Sequence, residues 1–409
     1  MDSKREEKKL LVYTYIFCLI CFFNLSILQW PEKSFDKAAI VVAGVVCGLI
    51  TYAHFIIRKF FIDGDKYIQI FACILTVIGL VILYRINTNY AIKQVIWFVV
   101  GITAFIIIVV LLPDLKRFAK WKYFYLACTL ILMAMGTLFG KEKYGAKNWI
   151  FIGGYGFQPS EFAKIFLVAY LAAALKKYKE YKEYKDLIEP AIIVMISLGF
   201  MVLQRDLGSA LIFFGISVTM LYIATSKFKY VATCFGLFAA GSVISYKLFS
   251  HIRIRFLIWK DVWSYANDKG YQIVQSMIAI ASGGLFGTGL GLGHPEFVPV
   301  NSTDFIFSVI CEELGGLMGF AVIILYFLLF YRCMRAAVYA EDKFSALVAV
   351  GYSSMIATQV LVIVGGVINI IPLTGITMPL ISYGGSSMIT TFFALGILQK
   401  ISEEAAGSE

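Results

Sequence analysis

The sequence predicts an all-α polytopic membrane protein with about twelve transmembrane helices and long loops on one side that carry short interfacial or re-entrant helices. Three observations predict it. The 409-residue chain is 60% hydrophobic and only 15% charged, with a mean hydropathy of +0.81, a balance foreign to a water-soluble domain of this length. Apolar runs long enough to cross a bilayer recur along the whole chain. Lys and Arg gather in alternate connections between those runs.

The runs begin near Leu10, Ala38, Tyr67, Ala91, Trp121, Phe162, Leu187, Leu207, Tyr230, Asp304, Ser345 and Leu380. The first follows basic residues, as a secretory signal would. Gln-Trp-Pro-Glu-Lys stands after it in place of a small-residue cleavage site, so it reads as a retained helix. With the N-terminus in the cytoplasm, most basic residues fall on inner connections. They include Lys4, Arg5, Lys8 and Lys9, then Arg58, Lys59 and Lys66, then Lys116, Arg117, Lys120 and Lys122. The expected topology is N-in and C-in in a plasma membrane. The net charge of +10 follows from that bias and from anionic inner-leaflet lipid; it is not a nucleic-acid signature. The run 176–185 reads as a solvated helix extension, with an anionic-lipid contact as the alternative. The eight cysteines lie in or beside apolar segments, so no disulfide framework is implied. The three histidines lie far apart and propose no metal site.

Three outer segments are too irregular to be simple connectors: Gly140 to Glu161, Ser250 to Thr303, and Asn369 to Ser387. The first two are expected to pack on the membrane surface, and within the second Tyr271 to Leu285 reads as a helix too short to span. The third places Pro372, Gly375, Pro379, Gly384 and Gly385 at membrane depth, where broken backbone must line a cavity or be buried in protein. Convergence of the three makes a site.

Asp304 stands where the second segment enters an apolar run. It reads either as a helix N-cap or as a general base whose pKa shelter would raise, and the two are compatible. Glu312 and Glu313 follow, about 12 Å deeper if one helix continues at 1.5 Å per residue, and need partners there. Pro159 and Glu161 read as a helix start. Lys164, about one turn in, would snorkel, pair with Glu161, or bind an anionic headgroup. Asp206 lies in a charged hairpin, Gln204-Arg205-Asp206. Arg253 and Arg255 are cations that could hold phosphate oxygens. The Gly-rich run 283–293 lacks the Gly-Lys-Ser/Thr of a Walker loop and reads as a flexible or closely packed backbone.

Six segments then occur in order: Gly-Ala-Lys-Asn-Trp-Ile from Gly145, Phe-Gln-Pro-Ser-Glu-Phe-Ala-Lys from Phe157, Gln-Arg-Asp-Leu-Gly from Gln204, Gln-Ser-Met-Ile-Ala-Ile-Ala-Ser-Gly-Gly-Leu-Phe-Gly from Gln275, Thr-Asp-Phe-Ile-Phe-Ser-Val-Ile-Cys-Glu-Glu-Leu-Gly from Thr303, and Pro-Leu-Ile-Ser-Tyr-Gly-Gly-Ser-Ser from Pro379. Over roughly residues 67–400 the chain resembles the RodA/FtsW/SpoVE (SEDS) family. The resemblance implies a ten-helix core at 67–400, preceded by two additional helices and a cytoplasmic tail in 1–66 and followed by a cytoplasmic tail in 401–409. It implies a peptidoglycan glycosyltransferase that polymerises lipid II on the outer face of the bacterial membrane, beside a class B penicillin-binding protein. The family's essential aspartate falls on Asp304. Candidate substrate contacts are Gln158, Ser160, Glu161, Lys164, Asp206, Arg253, Arg255, Gln275, Ser276, Glu313, Ser382 and Tyr383. A divalent cation, Mg or Mn, is a candidate cofactor beside the pyrophosphate; no nucleotide cofactor is expected. Val300 and Ser302 stand where many members carry Glu and His, which bears on the choice among elongation, division and sporulation, with a RodA-like elongation role favoured. A flippase for lipid-linked precursors and a non-catalytic scaffold are the rival readings; a flippase would distribute charge through the bilayer.

Overall fold

Two helices are enclosed by protein along most of their length, and the others pack around them. In the computed structural model, which describes residues 2–28, 35–61, 64–143, 146–153, 155–177 and 184–406, these are α3 and α14, the most deeply buried of the long helices. The chain runs α1 (Asp2–Ile27), α2 (Lys37–Phe60), α3 (Tyr67–Ile86), α4 (Thr88–Leu111), α5 (Lys122–Phe139), α6 (Pro159–Leu175), α7 (Ile188–Leu203) and α8 (Leu207–Thr225). It continues with α9 (Phe228–Leu248), α10 (Ser250–Lys260), α11 (Tyr271–Gly283), α12 (Ile306–Leu314), α13 (Gly316–Tyr339), α14 (Lys343–Val367) and α15 (Gly385–Ala406). The protein is a mostly helical, multi-pass membrane protein. Among the described residues ten helices are long and apolar enough to cross a bilayer. The two other runs of the expected twelve are α6, of 17 residues, and α15, which carries Gln399, Lys400, Glu403 and Glu404; both pack among the others.

Around α3 lie α1, α4 and α13; around α14 lie α6, α8 and α13; α15 joins the two groups by packing along α4 and α13. The closest approaches are made without side chains. A Cβ on Gly79 of α3 would stand 2.5 Å from the carbonyl oxygen of Ile381, so α3 and the segment before α15 touch backbone to backbone. α9 lies outermost, with most of its side chains facing away from the bundle.

The first long loop is a three-stranded antiparallel sheet, β1 (Lys141–Lys143), β2 (Ala146–Ile152) and β3 (Tyr155–Phe157). Lys141 pairs with Trp149, and Ile150 with Phe157. β1 and β3, of three residues each, are too short for a periodic signal, and β2, Ala-Lys-Asn-Trp-Ile-Phe-Ile, does not alternate. The amide of Lys147 also donates to the carbonyl of Gln204 at 2.9 Å, which docks the sheet on the α7–α8 hairpin. Gly145, which opens the first motif, lies outside the described residues, as do residues 178–183 of the basic run. The described part of that run does not extend α6, which stops at Leu175.

Because Gly79 admits no Cβ, Gly79→Ala is expected to destabilise the fold by about 1–3 kcal/mol, as overpacking does. A lower unfolding midpoint in detergent, with the same oligomeric profile, is the check.

Candidate active site

Asp304 sits in a turn, outside any helix. Val300 adopts a left-handed φ of +55°, and the amides of Thr303 and Phe305 both return to its carbonyl at 3.2 and 3.4 Å. Phe305, fully buried, takes the N-cap position of α12 and provides no side-chain cap. The reading of Asp304 as the N-cap is therefore corrected. So is the reading of one continuous helix from Asp304: α12 is nine residues long and ends at Gly315, φ +88°. The spanning helix is α13, whose first amides, Gly316 and Leu317, donate to the carbonyls of Gly284 and Leu285 at 2.8 and 3.2 Å. Glu312 and Glu313 thus belong to a short helix beside Asp304, not to a deeper turn of the same rod.

The turn is held by the irregular segment before α15. Ser382 Oγ donates to the carbonyl of Thr303 at 2.6 Å and accepts from the amide of Met378 at 2.8 Å. The amide of Tyr383 donates to the carbonyl of Ser302 at 2.8 Å. Gln94 of α4 then clasps the same segment, donating to Ser382 O at 2.9 Å and accepting from the amide of Gly384 at 3.2 Å. On the other side, Asn301 Nδ2 donates to Pro295 O at 2.7 Å.

Asp304 is partly exposed, and its Oδ2 faces Gly375, where a Cβ would stand 3.5 Å away. Burial pushes its carboxyl up to about 6, against the opposing pull of the Thr303 hydroxyl and the Arg255 guanidinium. Arg255 Nη1 donates to the carbonyls of Leu373 and Thr374 at 3.2 and 3.1 Å. Burial lowers its pKa, while Asp206 and Asp304 raise it, so one guanidinium lies in the field of both carboxylates. Asp206 is itself a hub. Its Oδ1 caps α8 by accepting from the amide of Ser209 at 2.9 Å. Its Oδ2 accepts from Ser209 Oγ at 2.7 Å, Asn148 Nδ2 at 2.5 Å and Gln158 Nε2 at 3.3 Å. The sheet, the start of α6 and the start of α8 thus meet at one carboxylate. Arg253, on the same short helix, is exposed and enters none of these bonds.

A second polar cluster lies inside α6, α14 and α15. Lys164, fully buried, donates to Glu161 Oε1 at 2.8 Å and to Gln359 Oε1 at 3.1 Å. Gln359 Nε2 donates to Thr377 O at 2.8 Å, and Thr390 Oγ1 donates to Glu161 Oε2 at 3.3 Å. Of the three fates open to Lys164, pairing with Glu161 is the one found; snorkelling is not. Ser160 is buried at the same helix start, and the amide of Gln158 donates to Ser386 Oγ at 3.3 Å.

Glu313, buried, pairs with Arg85 Nε at 3.0 Å and accepts from the amide of Gly291 at 3.1 Å. The Gly-rich run is closely packed backbone: a Cβ on Gly287 would fall 2.3 Å from Glu313 O. Ser276 donates to Val367 O at 3.3 Å, and Gln275 is half-buried; α11, as expected a short helix, holds them away from the bonds around Asp304. Reading the sequence missed Gln94, Ser209 and Gln359, and placed Asn148 in a motif without giving it a role. For the two glutamines the available signal was an amide inside an otherwise apolar helix. Among the described residues no group of three His, Cys, Asp or Glu is gathered as metal ligands.

Fold and site together define a multi-pass membrane protein in which broken backbone and interlocked charges gather at one end of a helix bundle. The chain belongs to the FtsW/RodA/SpoVE family, described as cell cycle proteins, whose model matches residues 65–407. It is 36% identical over 402 residues to the peptidoglycan glycosyltransferase RodA of Mycobacterium tuberculosis (strain H37Rv), covering 92% of this chain and 84% of that one. It is 31% identical to stage V sporulation protein E of Bacillus subtilis, covering 83% and 96%. Among solved structures it is similar to the rod shape determining protein RodA of Thermus thermophilus, with a TM-score of 0.64, 26% identity and coverage of 83% and 96%. It is also similar to a chain from a peptidoglycan synthase complex that coordinates polymerization and crosslinking, with a TM-score of 0.70, 25% identity and coverage of 84% and 98%.

Lys164→Met strands a buried carboxylate and is expected to destabilise the protein by about 3–5 kcal/mol. Adding Glu161→Gln should recover part of that loss. Unfolding midpoints of the single and double variants in the same detergent measure both effects.

Proposed function

We infer that this chain is a peptidoglycan glycosyltransferase that polymerises lipid II, with Asp304 as the general base. The observation that carries the reading is Asp304 itself: a partly exposed carboxyl, fixed in a turn by Ser382 and Tyr383 and lying in the field of Arg255, with burial pushing it up to about 6. A base needs an approachable oxygen, a proton affinity near the working pH and a rigid mount.

The reaction is an inverting transfer. The 4-hydroxyl of the GlcNAc of incoming lipid II attacks C1 of the MurNAc at the reducing end of the growing strand. The new C–O bond forms as the bond to undecaprenyl pyrophosphate breaks, and Asp304 takes the hydroxyl proton. The departing pyrophosphate needs positive charge. Lys164 is committed to Glu161 and Gln359, which shifts that role toward Arg255, within reach of the Asp304 carboxylate's field, and Arg253 at the exposed face of α10. A divalent cation would enter with the pyrophosphate, since cations of the Mg type are commonly held by one or two carboxylates plus substrate phosphate; no step is assigned to it.

The distribution of Lys and Arg supports placing both termini in the cytoplasm and the Asp304 end on the outer face, where undecaprenyl chains would lie between the helices. The likeness to a chain of a complex that couples polymerization to crosslinking supports a class B penicillin-binding protein as partner. The buried charges around Asp304, Asp206 and Glu161 gather at irregular backbone toward one end of the bundle, which favours chemistry there over carriage across the bilayer.

Asp304→Asn in purified protein is expected to lower the rate of glycan-strand formation by about 10²–10⁴-fold, the usual worth of a general base. Equal product from both proteins would remove Asp304 from the chemistry. The pH dependence has a definite sign. A carboxyl whose pKa is raised to about 6 is protonated below that pH and cannot accept a proton. The wild-type rate should therefore climb about tenfold per pH unit below that value and level off above it, while the residual rate of Asp304→Asn stays flat.

A further inference from the structure

We propose that the N-terminal hairpin of α1 and α2 braces the turn that carries Asp304, with Asp36, Tyr84 and Arg85 as positioning residues. The proposal rests on the reading of Asp304 as the base. The family match begins at residue 65, after both helices, so the hairpin lies outside the matched core. It nonetheless packs along α3 and α4, and two described residues flanking the helices, Leu28 and Asp36, touch the Gly-rich run and the end of α3.

Two contacts make the reach. Asp36 caps α2 by accepting from the amide of Ala38 at 2.9 Å. Its other oxygen, Oδ2, accepts from the hydroxyl of Tyr84 at 2.6 Å. The Tyr84 ring is buried edge-on against Phe22 of α1, 5.5 Å between centroids. Leu28, just after α1, lies against Gly291: a Cβ there would fall 2.3 Å from Leu28 Cδ2. The hairpin therefore fixes the last turn of α3 and touches the Gly-rich run.

From there the connection is unbroken. Arg85, next to Tyr84, donates through Nη2 to Gly293 O at 3.1 Å and pairs through Nε with Glu313 Oε1 at 3.0 Å. Glu313 accepts from the amide of Gly291 through its side chain and from the amide of Gly289 through its carbonyl, at 3.1 and 3.0 Å. Glu312 Oε1 accepts from the amide of His294 at 3.0 Å. Both glutamates belong to α12, which starts at Ile306, directly after the Asp304 turn. A buried carboxylate with one cation permits one geometry, because separation leaves a bare charge. Displacement of Arg85 is thereby passed to α12 and so to Asp304.

The test uses the full chain. Tyr84→Phe removes one oxygen and keeps the ring against Phe22. It is expected to lower kcat about tenfold, the effect of a sub-ångström misplacement of a reacting group. KM for lipid II should change less than about twofold, because the rest of the site is untouched. The midpoint of its pH–rate profile should move below that of wild type as water gains access to Asp304. Asp36→Ala should behave alike, and Asp36→Asn, which keeps a cap and an acceptor, should restore kcat relative to Asp36→Ala. Hydrogen exchange gives a readout independent of activity: residues 299–314 should exchange faster in Tyr84→Phe while α14 stays protected. Wild-type kcat, pH midpoint and exchange in Tyr84→Phe would overturn the proposal. So would a kcat loss that only follows a lowered unfolding midpoint, with exchange raised everywhere. Faster exchange at 299–314 in a protein whose wild type makes no glycan would uphold the brace and remove the reading of Asp304.

Discussion

The structure depends on one constraint: backbone that leaves helical geometry inside an apolar bundle must find partners for its amides and carbonyls, each of which would otherwise cost several kcal/mol. Two irregular segments solve this by serving each other. The carbonyls of Ser302 and Thr303 are taken by Tyr383 N and Ser382 Oγ, and Gln94 closes the far side of the same segment. Neither segment is satisfied alone, so the turn bearing Asp304 and the loop before α15 fold as one object. The rigidity attributed to the base comes from this mutual requirement.

The same site separates charges that hold structure from charges left for chemistry. Lys164 pairs with Glu161, both buried, and Arg85 pairs with buried Glu313; breaking either pair leaves an unpaired charge. Asp206 is fully engaged with hydrogen-bond donors from three elements. Asp304 differs. Burial raises its carboxyl as it raises that of Glu313, but Asp304 alone of the two is partly exposed. A carboxylate that the fold leaves in an unfavourable state beside approachable space is a stronger candidate for reaction than one the fold has satisfied.

Much of this was legible in the sequence. The membrane class followed from composition, the first two irregular segments from their length, the third from Gly and Pro at membrane depth, and Asp304 from a carboxylate at the edge of an apolar run. The Glu161–Lys164 pairing was open because residues three apart share a helix face. The break at Gly315 was hidden: the apolar run continues through it, and hydropathy does not register a backbone that turns to φ +88°. Only the Gly315-Gly316 pair marked the place. Gln94 and Gln359 were hidden for a related reason, since one amide barely alters the hydropathy of a long apolar helix. The sheet at 141–157 was illegible because its short strands are fixed by tertiary docking, through Lys147 on Gln204, more than by their own pattern.

The Gly315 break also bears on how the protein meets bilayers of different thickness. Spanning helices accommodate mismatch by tilting, and a catalytic group carried on such a helix would swing with it. Here the spanning rod, α13, starts only after the break, with its first amides tied to Gly284 and Leu285. Tilt of α13 is thereby pivoted at its own end, and α12 with the Asp304 turn stays registered to the loops around it. The backbone break thus sets the Asp304 turn apart from the rod that meets the lipid.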